Sequence, residues 1–319
     1  MTRRATIRRL PLRGSVVLLL GLGLLGPPPA LLGPPPASAA GTRAAGTQAV
    51  VGGFVEAYPV VASAMRAAGA PYAGWVDAGR HFLAFDPRGD GLAVEVLGDL
   101  ATADRIVLLV PGVDTTLRDF DRGLGGVARR APAIQARHLY DQLRADDPRA
   151  RSAVLAWLGY DPPNGLGWAA VRESSARVGA ARLTALTELL AARRPAATIT
   201  LVGHSYGAVV LGLAAPRLPA QVTDLVTVGG VGMGADRVDD LRTPARVWAA
   251  EAPTDWIHRI PQVRLFGLGH GTRPADPAFG AVSLPVDGVT GHDGYLAPGT
   301  GTIRAIALVT LGRRAEVSR

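Results

Sequence analysis

Two periods of hydrophobic spacing alternate along this chain. Residues 106–110 and 152–158 are continuous apolar runs of strand length, as expected for strands buried on both faces. Residues 199–203, 224–229 and 246–250 read as further strands. Between them lie stretches of helical spacing: 131–143, then 174–194, which carries Val178, Leu183, Leu186, Leu189 and Leu190 on one broad side. Ahead of the runs, 81–86 and 92–97 are joined by Pro87-Arg88-Gly89-Asp90, which predicts a hairpin opening the sheet. Further upstream Val50, Val51, Phe54, Val55, Tyr58, Val61 and Met65 recur at threes and fours, predicting a helix over 48–68 interrupted near Pro59. At the other end, 281–286 reads as a last strand and 303–311 as a terminal helix. Helices and strands alternating in this way predict an α/β fold, a mostly parallel sheet with helices on both faces and ligands at the carboxyl ends of its strands.

One stretch combines pattern and chemistry. The strand at 199–203 stops at Gly203, Ser205 lies between Gly203 and Gly207, and small and apolar residues follow at helical spacing. A serine on such a strand-to-helix turn has a strained backbone, and a side chain at 203 or 207 would collide with neighbouring chain, so glycine is required there. The turn also sets the serine beside free N–H groups at a helix start, where developing negative charge is stabilised.

Composition changes the picture at the N-terminus. Arg3, Arg4, Arg8, Arg9 and Arg13 precede the apolar residues 16–26, and Ala37-Ser38-Ala39 follows two proline clusters. A basic start, an apolar stretch of about ten residues and a small-x-small site predict a signal peptide over 1–39 cleaved after Ala39, too short for a membrane span. The remaining residues, 40–319, are expected to form a single domain in a secreted or extracytoplasmic protein with no stable membrane span. The net charge of +8 falls to +3 once the five leader arginines are removed, which takes away the case for a nucleic-acid partner. There is no cysteine, so neither disulfides nor thiol chemistry operates.

A serine hydroxyl needs a base to take its proton and a carboxylate to orient that base. Among the six histidines, His204 sits inside the turn and is expected to point elsewhere, while His81 and His138 precede the serine, against the serine, acid, histidine order of this architecture. His292, in the loop between the last strand and the terminal helix, is the expected base; His270 is the rival, and His258 is expected on a helix surface. Asp255 follows the strand 246–250 in the required order and is the expected acid, with Glu251 second; Asp236, Asp239 and Asp240 read as a solvated short helix. The amides of Tyr206 and Val113 are the expected oxyanion donors, the latter because Gly112 lets the backbone approach closely. About sixteen residues separate Gly229 from the next strand, too few for a lid domain, so loops around Asp114, Tyr160 and Phe266 should wall the site.

The order of Pro111-Gly112-Val113-Asp114-Thr115, Trp157-Leu158-Gly159-Tyr160-Asp161-Pro162, Gly203-His204-Ser205-Tyr206-Gly207, Asp255-Trp256 and His292 resembles the actinobacterial α/β-hydrolase family of uncharacterised function, over roughly residues 101–312. In one departure, Asp293 follows His292 where a serine is common in that family. The resemblance implies the α/β-hydrolase fold and a serine-hydrolase site, without a substrate. Acting on carboxylic esters of small-molecule or lipid-like kind is the expectation, with no metal and no cofactor. An acyltransferase on the same residues and an inactive hydrolase-fold envelope binding protein are the alternatives. The string Gly230-Val231-Gly232-Met233-Gly234-Ala235 fits a dinucleotide fingerprint with Glu251 about twenty residues on, but the polar segment after it is too short for a crossover helix.

Overall fold

The computed structural model describes residues 54–262, 264 and 268–317. These belong to a compact unit spanning Thr42–Arg319. The leader, its cleavage site after Ala39, the first residues of the expected helix 48–68 and Phe266 lie outside the described residues.

Eight strands form one sheet: β1 His81–Asp86, β2 Leu92–Leu97, β3 Arg105–Val110, β4 Ser152–Leu158, β5 Thr198–His204, β6 Val222–Val228, β7 Arg246–Ala250 and β8 Val282–Ser283, in the order β1-β2-β4-β3-β5-β6-β7-β8. β2 runs antiparallel to β1 and β4, and every other pairing is parallel. The helices are α1 Phe54–Ala67, α2 Tyr72–Asp77, α3 Pro132–Asp146, α4 Trp168–Val171, α5 Ser174–Arg193, α6 Gly207–Ala214 and α7 Gly301–Thr310.

The period of two in β3 divides the core. Ile106, Leu108 and Val110 face one side with Leu183 and Leu190 of α5 and Val209 and Leu211 of α6. Val107 and Leu109 face the other with Leu139 and Leu143 of α3 and Ile303 and Ile306 of α7. All of these are buried, and each such side chain contributes roughly 1.5–3 kcal/mol by leaving water. With helices on both sides, the middle strands are apolar throughout, which is why their sequences do not alternate.

Two expected elements differ. Helix α1 runs through Pro59 without interruption; the carbonyl that loses its donor belongs to Val55, which is 62% exposed and open to water. The last strand is two residues long. Leu284 N–H still reaches the Ala249 carbonyl at 2.8 Å, but Pro285 next to it has no N–H to continue the ladder.

The connection from β6 to β7 contains one short 3₁₀ turn, Val238–Leu241, so no lid domain enters there and no helix follows Gly230 to Ala235 as a dinucleotide site requires. Among the described residues no helix is long and apolar enough to cross a membrane.

Candidate active site

The turn between β5 and α6 has the predicted geometry. Ser205 lies at φ 55°, in the left-handed region, and its amide donates to the Val228 carbonyl at 3.1 Å. A Cβ on Gly203 would stand 2.8 Å from the Gly207 carbonyl carbon, and one on Gly207 would stand 2.3 Å from the Val110 carbonyl oxygen, so both positions require glycine. The chain after β3 crosses just above: a Cβ on Gly112 would lie 2.7 Å from Ser205 Cβ.

Asp255 and His292 meet beyond the ends of β6 and β7. His292 Nδ1 is 2.9 Å from Asp255 Oδ1 and 3.0 Å from Oδ2. Asp255 is fully buried, and three donors hold it: the imidazole, Tyr295 Oη–H at 2.5 Å and the Ile257 amide at 2.9 Å. Burial alone would raise its carboxyl pKa, but the hydrogen bonds from His292, Tyr295 and Ile257 outweigh burial and hold it below the ordinary carboxylate value. With Nδ1 facing a carboxylate, the proton sits on Nδ1 and the lone pair on Nε2. Gly229, at φ 56° just past β6, makes this packing possible, since a Cβ there would be 2.8 Å from Asp255 Oδ2 and 3.1 Å from His292 Cε1.

Ser205 and His292 line one cavity of about 160 Å³, with Gly112, Val113 and Asp114 on one wall and Trp256 and Asp293 on another. Leu124 and Leu166, 39% and 59% exposed, flank its mouth. Arg130 Nε donates to Asp293 Oδ2 at 2.7 Å, an ion pair that lines the cavity as well. Ser205 Oγ and the imidazole both line the cavity but are not hydrogen-bonded to each other in this conformation.

The rival residues are engaged elsewhere. Glu251 pairs with Arg273 at 3.1 Å. His270, whose pKa burial pushes down, hydrogen-bonds through Nε2 to the Ala170 carbonyl at 2.6 Å. His258 is exposed on the 3₁₀ turn Trp256–Arg259. Tyr206 is buried at the start of α6, and its hydroxyl donates to the Arg172 carbonyl at 2.6 Å. Among the described residues no cluster of three His, Cys, Asp or Glu side chains could hold a metal ion.

One expectation needs correction. His204 does not point away: its Nε2 donates to the His292 carbonyl at 2.8 Å, and the two rings sit 4.7 Å apart. Burial, with His292 adding to it, depresses its pKa to about 4, so it is a neutral N–H donor. The loop around Tyr160 does wall the cavity, as expected, through Leu166 at its mouth, while the Tyr160 ring itself is buried. Sequence reasoning also missed Tyr295 and Gly229. The available signals were a tyrosine three residues after the candidate histidine and a glycine ending an apolar strand.

This sheet order, with a serine on the turn after β5 and an acid and a histidine following in sequence, defines an α/β-hydrolase architecture. Residues 86–265 match the α/β hydrolase family, and the chain belongs to it. The match takes in Ser205 and Asp255 and stops short of His292. An uncharacterized protein of Mycobacterium tuberculosis is 28% identical over 267 residues, covering 73% of this chain and 39% of that protein. This chain thus spans about two fifths of the length of that relative. An uncharacterized protein of Mycobacterium bovis is 32% identical over 189 residues, covering 58% of this chain and 69% of its own length. A solved α/β serine hydrolase without a lid, from Xanthomonas campestris, aligns with a TM-score of 0.39 at 15% identity over 73% of this chain and 94% of that one.

Proposed function

We propose that this chain is a serine hydrolase acting on carboxylic esters through an acyl-enzyme, with Ser205 as nucleophile, His292 as base and Asp255 as its orienting acid. The observation that carries the reading is the His292 Nδ1 contact with buried Asp255 beside the same cavity into which the strained Ser205 turn faces. Ser205 Oγ attacks the ester carbonyl carbon as His292 Nε2 takes its proton, and Asp255 stabilises the imidazolium. The amides of Val113 and Tyr206 receive the oxyanion. Collapse expels the alcohol, which leaves with the proton from His292, and a water molecule then repeats the sequence on the acyl-enzyme.

Export of the enzyme is part of the same proposal, supported by the leader pattern over residues 1–39. Intact-mass measurement of secreted material beginning at Ala40 is the expected result.

The test is hydrolysis of nitrophenyl esters by purified protein beside Ser205→Ala. Turnover by the wild type and its loss by several orders of magnitude in a folded Ser205→Ala is expected. Product analysis with an added alcohol separates hydrolysis from acyl transfer. A wild type that neither turns over esters nor reacts with a fluorophosphonate would leave the binding-protein alternative.

A further inference from the structure

The segment 157–165, which contains the family-like Trp157–Pro162, has no part in the chemistry above, yet it grips the loop that passes over Ser205. Gly112 must be glycine there, because a Cβ would stand 2.7 Å from Ser205 Cβ and 3.3 Å from its Oγ. Glycine is also the residue with the widest backbone freedom, so the peptide planes around it have to be fixed from outside.

Three hydrogen bonds, on two residues, do this. Ahead of Gly112, the fully buried Tyr160 hydroxyl donates to the Pro111 carbonyl at 2.7 Å. Its ring is stacked on Trp157, with centroids 5.8 Å apart and planes 15° from parallel, and Gly159 makes that possible, since a Cβ there would be 2.2 Å from the indole. After Val113, Asp114 lies at φ 59°, donates its amide to the Pro163 carbonyl at 3.0 Å and accepts the Gly165 amide on Oδ1 at 2.5 Å. Only Gly112 and Val113 lie between the two grips.

We propose that Tyr160 and Asp114 are positioning residues that clamp the 111–114 loop from both sides and so aim the Val113 amide at the oxyanion formed on Ser205. The proposal rests on the ester-hydrolase reading for its kinetic consequence, but the clamp itself is measurable without turnover.

Tyr160→Phe keeps the ring stack and removes one hydroxyl. A well-aimed oxyanion donor is worth about 10²–10³ in kcat, so a loosened one should lower kcat by roughly ten- to a hundredfold with KM little changed. Affinity for a trifluoromethyl ketone, which forms a tetrahedral adduct on the serine, should fall by the same factor as kcat/KM. Asp114→Ala should behave likewise. Asp114→Asn should recover most of that loss, because asparagine keeps the Oδ1 acceptor and tolerates positive φ. Amide hydrogen exchange at Gly112 and Val113 should quicken in Tyr160→Phe and Asp114→Ala. Unchanged kcat and ketone affinity in Tyr160→Phe beside a lowered melting temperature would overturn the proposal, as would an Asp114→Asn no better than Asp114→Ala. If the wild type shows no esterase activity, the functional reading fails, and unaltered exchange at Gly112 and Val113 would separately refute the clamp.

Discussion

Gly229→Ala tests the packing of the proposed acid and base with one methyl group. The new Cβ would be placed 2.8 Å from Asp255 Oδ2 and 3.1 Å from both His292 Cε1 and Nδ1, several tenths of an ångström inside ordinary contact. An L-residue at φ 56° also costs about 1–2 kcal/mol in backbone energy. Gly89→Ala separates the two effects, since Gly89 has nearly the same φ, 61°, and nothing within 4 Å of its added Cβ. Gly89→Ala should lose roughly 1–2 kcal/mol from the backbone alone, or about 2–8 °C in melting temperature for a chain of this size, and Gly229→Ala should lose more because the clash adds to it. Only Gly229→Ala must also push Asp255 and His292 off their positions. A displacement approaching 1 Å costs on the order of a hundredfold in rate, so a fall in kcat of roughly ten- to a hundredfold is expected, against no change for Gly89→Ala. Thermal melts followed by circular dichroism and steady-state hydrolysis of a nitrophenyl ester measure the two axes. If Gly229→Ala melted like Gly89→Ala and turned over like the wild type, the argument that Gly229 exists to admit the Asp255 and His292 pair would be wrong.

Tyr295→Phe removes a donor to Asp255 and the acceptor of the buried Ala252 amide at 3.0 Å, and should cost about 2–3 kcal/mol in urea unfolding. The stability that Asp255 gains from its depressed pKa is present above the unfolded value and lost as pH falls through the folded one; without Tyr295 the folded value rises, so acid unfolding should begin at higher pH. His204, held neutral with its pKa near 4 against an ordinary 6.5, makes the unfolded chain bind its proton first, so stability should fall by up to ~3 kcal/mol as pH drops through that interval. In His204→Gln the slope of melting temperature against pH between those values should flatten. A cavity of about 160 Å³ is small beside the ~300–1,000 Å³ usual for drug-sized ligands, so kcat/KM in an ester series should be higher for butyrate than for decanoate.

Much of the framework could be read along the chain because the forces that form it are local or pairwise periodic. Continuous apolar runs marked β3 and β4, whose bounds in the structure are Arg105–Val110 and Ser152–Leu158. The glycines about Ser205 declared a turn that admits no Cβ, and chain order narrowed the acid to two residues and the base to a favoured and a rival histidine. Sequence spacing could not go further, because what separates Asp255 from Glu251, or His292 from His270, is a partner far along the chain. Glu251 meets Arg273 and His270 meets the Ala170 carbonyl, whereas Asp255 and His292, 37 residues apart, meet each other. The same holds for His204 beneath the His292 carbonyl, 88 residues away, and for Tyr160 under Pro111, 49 residues away. These contacts leave no periodic trace in composition or hydropathy. Each depends on a single hydrogen bond or a few cubic ångströms of free space at the carboxyl edge of the sheet, and that space exists only once the strands are laid side by side and the glycines at 112, 203, 207 and 229 let their neighbours close in.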